Sequence, residues 1–272
     1  MLDTYFFIPG DKQKYLNKLD VIKVDYIVID LEDAVSLKAK EDAFDLVMSI
    51  ATKKNHFIRI PFFEEIYSTE QITKLIQHFD GRIAIPKIDD KSQISQIKEY
   101  VPSIDLKMII LVENPLCLIN LNDILNTYSS QIHAVGFGSH DFCSITGIKH
   151  KSEHLVNYIR QIILYAKAYG VNYIDGVDLN LNDFTQFRKE CLFAFEMGAS
   201  GKFLIHPSQI KELGSVQYMT EDELEEIKNV YEKIKDIPED SIEVCTINGK
   251  IYEKPHIKRI QILMNKLQQF NT

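Results

Sequence analysis

Cysteine is sparse in this chain, and its placement suits neither a disulfide framework nor a zinc site. Cys117, Cys143, Cys191 and Cys245 are widely spaced with no CxxC pair, which fits free thiols in a reducing compartment. No apolar run approaches the roughly 18 residues that span a bilayer. The start, Met1-Leu2-Asp3-Thr4, lacks the basic stretch of a secretory leader. A cytoplasmic protein with no membrane partner is therefore expected. Basic charge is also short: 31 Lys+Arg stand against 39 Asp+Glu, a formal charge of -8. No basic face is interleaved with aromatics, so nucleic acid is not an expected partner. Internal repeats and low-complexity linkers are missing too.

The composition that remains is that of an ordinary globular protein. The chain is 45% hydrophobic and 26% charged over 272 residues, enough for one large core. Short runs rich in Ile, Val and Phe alternate with amphipathic segments of helical period. Strands are expected at 5–8, 26–31, 57–60, 83–86, 108–112, 134–138, 173–175 and 202–205. Helices are expected between them, for example at 38–50, 69–79 and 154–169. The last carries Leu155, Ile159, Ile162, Ile163 and Ala166 on one stripe and stops at Gly170. Eight β-α units in order are the count for an α/β protein of the (β/α)8 TIM-barrel class. A doubly wound open sheet is the competing architecture.

The barrel is expected over residues 1–219, followed by a C-terminal helical and hairpin appendage over 220–272. A charged helix at 221–235 opens the appendage. A hairpin within 242–251 turns at Asn248-Gly249, a dipeptide that favours a type I′ turn. A final helix at 254–270 carries Ile257, Ile260, Leu263 and Leu267 on a stripe that reads as packing or subunit contact. Such a tail is suited to closing a barrel mouth, its own or a neighbour's.

In barrels of this class the chemistry sits at the C-terminal ends of the strands. Here those ends deliver Pro9-Gly10-Asp11, then Asp30, Glu32 and Asp33, then Arg59, Lys87, Glu113, Asp141, Asp175 and His206. A ring of charges at one edge is hard to explain as packing, although solvated loops account for part of it. Glu113 and Asp141 each follow an apolar run. Two carboxylates at the same edge of a parallel sheet point to a shared cation, because a buried carboxylate is costly unless something pairs with it. Arg59 is suited to clamp an anion. Structural roles for Asp30, Glu32 and Asp33 stand beside direct contact, and catalytic and structural roles for His206 are evenly matched.

Other patterns carry less. His150-Lys151-Ser152-Glu153-His154 fits the H-x-x-E-H zinc pattern, but no third ligand is evident and chance explains it. Ser139-His140-Asp141 names the residues of a catalytic triad, yet adjacent residues cannot form that relay. Gly136-Phe137-Gly138 lacks the third glycine of a dinucleotide fingerprint.

The ordered motifs together resemble the beta subunit of citrate lyase and its relatives, including citramalyl- and malyl-coenzyme A lyases, in the HpcH/HpaI aldolase superfamily. The match runs through Phe7-Ile8-Pro9-Gly10, Asp30-Leu31-Glu32-Asp33-Ala34, Arg59, Pro86-Lys87 and Val112-Glu113. It continues through residues 136–142, residues 201–207, Asn248-Gly249-Lys250 and Lys254-Pro255-His256. The resemblance implies a (β/α)8 barrel, usually trimeric, with Mg²⁺ held by Glu113 and Asp141. It implies a β-hydroxyacyl thioester substrate that also carries a carboxylate, cleaved to a keto acid and a shorter thioester. Arg59 and backbone N–H groups near Gly138-Ser139 would bind substrate beside Pro9 and Glu32, and Lys87 would orient ligands.

Three departures from the family pattern stand out. Glu253 replaces the Asp that acts on the methyl of the acetyl thioester in lyase relatives. One extra methylene moves the carboxylate by about 1 Å, which costs on the order of 10²-fold if uncompensated. Asp3-Thr4 replaces an Arg-Ser whose Arg faces bound ligand. Asn114-Pro115-Leu116-Cys117 replaces a small residue followed by Gly, and bulk at Leu116 and Cys117 is expected to narrow the pocket. The expectation is a Mg²⁺-dependent carbon-carbon lyase, or the reverse condensation. Its partner is a small anionic acyl or keto-acid compound, with a coenzyme A thioester one form of it, and the assembly is a homo-oligomer, a trimer by resemblance. Catalytic roles fall to Glu253, Arg59 and Lys87. The alternatives are an acyl-thioester hydrolase on the same scaffold and a non-catalytic metal- and keto-acid-binding subunit.

Overall fold

The structure, a computed structural model, describes residues 1–235, 237 and 244–270; of these, the side chains of 245, 266 and 268–270 are not described. Eight strands form its centre: β1 (Asp3–Pro9), β2 (Tyr26–Asp30), β3 (His56–Arg59), β4 (Arg82–Ile85), β5 (Lys107–Val112), β6 (Ile132–Phe137), β7 (Asn172–Asp175) and β8 (Gly201–Leu204). All neighbours pair in parallel. The ring closes where β1 meets β8, with Asp3 opposite Gly201 and Phe6 opposite Leu204. That closure decides for the barrel over the open sheet, and each expected strand lies within two residues of an observed one.

The helices are α1 (Gln13–Leu16), α2 (Lys40–Ser49), α3 (Thr69–His78), α4 (Lys91–Tyr100), α5 (Pro115–Tyr128), α6 (Ser139–Thr146), α7 (Ser152–Ala168), α8 (Thr185–Glu196) and α9 (Pro207–Gly214). Their starts are written in side chains. Ser68 with Gln71, and Asp90 with Gln93, form capping boxes that satisfy the free N–H groups of α3 and α4. The stripe expected on α7 buries Leu155, Ile162, Ile163 and Ala166. Gly170, at φ 69°, lets the chain turn away after it.

Inside the barrel, alternate residues of the strands pack Tyr5, Val28, Phe57, Ile109, Ile174 and Phe203 into one core. Tyr5 stacks on Tyr26 at 4.5 Å, and its hydroxyl hydrogen-bonds His133 Nε2 at 2.9 Å. Gly136 makes room for this layer, since a Cβ there would lie 2.4 Å from Phe203.

Leu2–Val216 form one compact unit and Gln217–Thr272 contribute a second. In the second, α10 (Glu221–Ile234) opens on a Thr220/Glu223 capping box. Strands β9 (Cys245–Ile247) and β10 (Lys250–Tyr252) pair antiparallel, and α11 (Lys254–Phe270) follows. Asn248 and Gly249 both take positive φ, 51° and 77°, as a type I′ turn requires. Residues 242 and 243 of the expected hairpin lie outside the described residues. Val230, Ile234, Ile247, Tyr252, Ile257 and Ile260 make this unit's own core. Among the described residues no helix is long and apolar enough to cross a membrane. Cys117, Cys143 and Cys191 are free and buried; the Cys245 side chain lies outside the description.

His56 gives the barrel a pH-dependent stability. It is 1% exposed at the start of β3, and its Nδ1 accepts from the Lys53 N–H at 3.3 Å. Burial, with Lys53 adding to it, depresses the imidazole from 6.5 to about 4. The unfolded chain thus takes up this proton first. The stabilising contribution is complete above the ordinary value and is lost as pH falls toward 4. Chemical denaturation at pH 7 and pH 4 should show a pH-linked loss smaller in His56→Gln than in the wild type by on the order of 3 kcal/mol; equal losses refute the assignment.

Candidate active site at the barrel mouth

Each acidic or basic group at the mouth is fixed by the strand it ends. Asp30 closes β2 and turns its carboxylate back on its own loop, accepting from the Glu32 N–H at 2.8 Å and the Ala34 N–H at 3.2 Å. Arg59 closes β3, the neighbouring strand in register with β2 at Asp30. Its Nε and Nη2 donate to the two Asp30 oxygens at 2.8 and 2.5 Å. Its Nη1 reaches Glu32 at 2.8 Å, Asp33 at 3.7 Å and Glu113 at 3.8 Å, while its face lies over the Phe7 ring at 5.1 Å. The two-pronged grip expected on a substrate carboxylate is thus taken by Asp30, because a buried carboxylate in register with the arginine claims the fork first. Only Nη1 remains directed toward Glu113. Burial opposes the Arg59 charge, but Asp30, Glu32 and Glu113 outweigh it and hold the group above its ordinary value.

Behind this pair lies a second layer. Glu32, 2% exposed, meets Arg59 on one oxygen and Lys87 Nζ on the other, both at 2.8 Å. Lys87 also meets Glu64 at 2.9 Å and Asp33 at 3.3 Å. Burial raises the Glu32 carboxyl above its usual range against the pull of both cations. Lys87 has a left-handed backbone, φ 51°. In that conformation its N–H donates to Glu113 Oε2 at 2.9 Å. A strained backbone at the end of a strand fits a role in aiming that amide. Lys40, which the motifs did not single out, is buried and donates to the carbonyls of Leu31 and Glu32, each at 2.7 Å. A signal was present: Lys40 shares the buried face of α2 with Ala43 and Val47, and a lysine on an apolar stripe needs a partner.

Glu113, at the end of β5, is 2% exposed. Burial first, then the charges of Glu32 and Asp141, push its carboxyl up to about 8, although Arg59 and the Lys87 amide oppose the shift. Gly138 allows Glu113 its place. A Cβ at 138 would lie 2.3 Å from Glu113 Cγ and 2.9 Å from its Oε1. Helix α6 opens directly after Gly138, so Asp141 sits in its first turn. The Gly138 N–H is spent on the Val112 carbonyl at 3.0 Å. The Gly138 N–H is therefore not available to an anion, and the amides at the opening of α6 are those without a carbonyl four residues back within the helix.

A cavity of about 390 Å³ occupies the mouth. Pro9, Arg59, Glu113, Gly138, Ser139 and Asp141 all line it, as do Asp30, Asp33, Phe7 and His140. Glu32 and Lys87 do not; they stand behind the lining and hold it in place. Glu253 belongs to the second unit, where its N–H donates to His256 Nδ1 at 3.1 Å. Among the described residues no group of three or more His, Cys, Asp or Glu has metal-holding geometry, so the zinc pattern at 150–154 is without a site, and His154 instead bonds the Lys149 carbonyl. The donor set for a cation here is two carboxylates. It fits a hard ion that prefers oxygen and keeps water or substrate in its remaining positions. A cation held by Glu113 and Asp141 would favour the ionised Glu113 carboxylate against the burial and acidic neighbours that raise it.

Several other expectations change. Leu116 is 54% exposed and Cys117 is buried within α5; neither lines the cavity, so they do not narrow it. Asn114 caps α5, accepting from the Cys117 N–H at 2.8 Å. Asp3 opens β1 at the end of the strands opposite the mouth. His206 caps α9, its Nδ1 accepting from the Ser208 N–H at 3.2 Å, and it is not among the residues that line the cavity. Ser139 Oγ, also expected to meet substrate, hydrogen-bonds His150 Nε2 at 2.9 Å, and His150 stacks on His140 at 4.0 Å.

Comparison with known proteins follows the same lines. The citrate lyase subunit beta of Leuconostoc mesenteroides subsp. cremoris is 25% identical over 277 residues, covering 96% of this chain and 91% of its own length. A (3S)-malyl-CoA thioesterase of Cereibacter sphaeroides is 24% identical over 261 residues, 93% of this chain and 90% of its own. The crystal structure of CitE from Mycobacterium tuberculosis with magnesium, acetoacetate and coenzyme A shares the fold at a TM-score of 0.81 and 18% identity, covering 97% of both chains. The sequence profile described as HpcH/HpaI aldolase/citrate lyase matches residues 3–207, the whole set of eight barrel strands. The chain belongs to the HpcH/HpaI aldolase/citrate lyase family.

Proposed function

We propose that this protein is a Mg²⁺-dependent carbon-carbon lyase, working in either direction on a small β-hydroxyacyl compound that bears a carboxylate. The observation that carries the reading is the pairing of Glu113 and Asp141 on one cavity, next to the free amides of α6. Glu113 and Asp141 would hold the ion. When bound, Mg²⁺ supplies an electrophile for the substrate's carboxylate and hydroxyl oxygens. Relatives support the choice, since CitE of Mycobacterium tuberculosis has been crystallised with magnesium together with acetoacetate or pyruvate.

The chain's own residues orient the reaction. The amides of the first α6 turn receive the substrate carboxylate, and Arg59 Nη1 offers one further donor beside Glu113. Lys87 positions Glu113 through its backbone N–H, and Asp30 and Glu32 keep Arg59 from swinging. In cleavage the pair of the broken carbon-carbon bond passes to the α-carbon of the acyl group. The hydroxyl loses its proton as it becomes a keto carbonyl, and the α-carbon gains one. Glu253 is assigned, by resemblance, to the proton at that carbon. The acyl group is carried as a thioester, with coenzyme A the first form to test, and the assembly is a homo-oligomer.

A second reading is a thioester hydrolase. The thioesterase relatives and the Ser139–His150 contact favour it. With Mg²⁺ and malyl, citramalyl or citryl thioesters, release of keto acid without free thiol identifies the lyase, and thiol without keto acid identifies the hydrolase. Metal binding with neither product identifies a binding subunit.

Three variants test the assignments. Asp141→Asn should weaken Mg²⁺ binding, read by calorimetry, by at least tenfold; unchanged affinity removes Asp141 from the ion. Glu253→Gln should abolish turnover and leave metal affinity intact, and an unchanged rate takes Glu253 out of the mechanism. Gly138→Ala should displace the Glu113 carboxylate and lower turnover about 10²-fold, while retaining wild-type activity would show that Glu113 has room to move.

A further inference from the structure

The mouth cavity has two unlike arcs. Its polar arc is built by the ends of β2, β3, β5 and β6, which place Asp30, Asp33, Arg59, Glu113, Ser139 and Asp141 on the lining. Its other arc is built by β7, β8 and β1, adjacent strands in the closed ring. That arc presents Val177 and Leu179 after β7, Phe203 and Ile205 at β8, and Phe7 on β1. Leu111 and Phe137 continue this surface beneath the proposed metal ligands. Leu111 lies two residues before Glu113 on the same strand and so faces the same interior side. Both are 2% exposed, and Leu111 and Phe203 belong to the barrel core.

Charge on the lining is one-sided. Four carboxylates face one guanidinium, and that guanidinium is held by Asp30 at its fork, by Glu32 at Nη1 and by Phe7 on its face. A keto acid whose carboxylate and carbonyl meet the metal and the α6 amides must direct its remaining substituent away from them. The space it enters is walled by Leu111, Phe137, Val177, Phe203 and Ile205. A second carboxylate there would be buried without a cation, which is strongly disfavoured, whereas each methylene placed there is removed from water. At about 390 Å³ the cavity as a whole is within the range of ligand pockets.

We infer that the keto acid handled by this site is a 2-oxoalkanoate with an alkyl side chain longer than methyl, and not a dicarboxylic 2-oxo acid such as oxaloacetate. This rests on the lyase reading of the same site. The thioester half is long and must leave through the open side, so the floor beneath Glu113 and Asp141 falls to the keto acid.

The test is calorimetric titration of the full chain, saturated with Mg²⁺, with pyruvate, 2-oxobutyrate, 2-oxovalerate and oxaloacetate. Affinity should rise about fourfold per added methylene, and oxaloacetate should bind more weakly than 2-oxobutyrate. Equal affinities along the series, or oxaloacetate matching 2-oxobutyrate, overturn the inference and leave the lyase reading standing. If no keto acid binds in a Mg²⁺-dependent way, the lyase reading falls and takes this inference with it. Leu179, 59% exposed on the apolar arc, provides a second arm. Leu179→Arg adds a cation there without entering the core and should shift the oxaloacetate to 2-oxovalerate affinity ratio at least tenfold toward oxaloacetate; an unmoved ratio overturns the inference.

Discussion

Arg59 meets or faces four carboxyl groups at the ends of the strands, and the mouth of the barrel is organised around how it divides itself among them. Its fork belongs to Asp30, its Nη1 to Glu32, with Asp33 and Glu113 at 3.7 and 3.8 Å. Removing one partner of such a buried pair leaves an uncompensated charge and costs about 3–5 kcal/mol. The arrangement is therefore rigid, and rigidity is what an oriented site requires. The same neutralisation is incomplete, because Arg59 and Lys87 cover Asp30 and Glu32 more closely than they cover Glu113. Glu113 and Asp141 both line the cavity, and their mutual repulsion helps keep the Glu113 carboxyl above its usual range.

Several features that look independent follow from that imbalance. Glu113 is squeezed upward in pKa by burial and by its acidic neighbours, yet the chain brings it closer still. Gly138 gives up its side chain to admit it, and Lys87 takes a left-handed backbone that points an amide at it. The left-handed backbone at Lys87 and the missing side chain at Gly138 both serve the placement of one carboxylate.

Much of this was legible in the residues. Alternating apolar runs located all eight strands because parallel barrel strands are buried and read as continuous Ile, Val and Phe stretches. The strand ends then named Arg59, Glu113 and Asp141 by position alone. Partner choice was not legible. Which acid claims the Arg59 fork depends on the register of β2 against β3, and that register is a property of the closed sheet. Lys40 escaped notice although it lies only eight and nine residues from the Glu32 and Leu31 carbonyls it bonds, because a lysine at the start of a helix reads as solvated until the fold buries it. The apolar arc was hidden for a similar reason: Phe7 and Phe203 are nearly two hundred residues apart and become neighbours, with ring centroids 5.1 Å apart, only when β1 meets β8.

The departures from the family pattern can now be sorted by where they fall. Asp3 opens β1 at the end away from the mouth, and Asn114-Pro115 starts α5 with a satisfied cap. Neither touches the cavity lining, so both are changes of scaffold, and the charge reversal at position 3 does not enter the chemistry of the mouth. The lining itself keeps the carboxylate pair, the arginine and the glycine. Glu253 differs in kind. It lies in the second unit, outside the barrel that carries the cavity, and it retains a carboxyl group on a side chain one methylene longer.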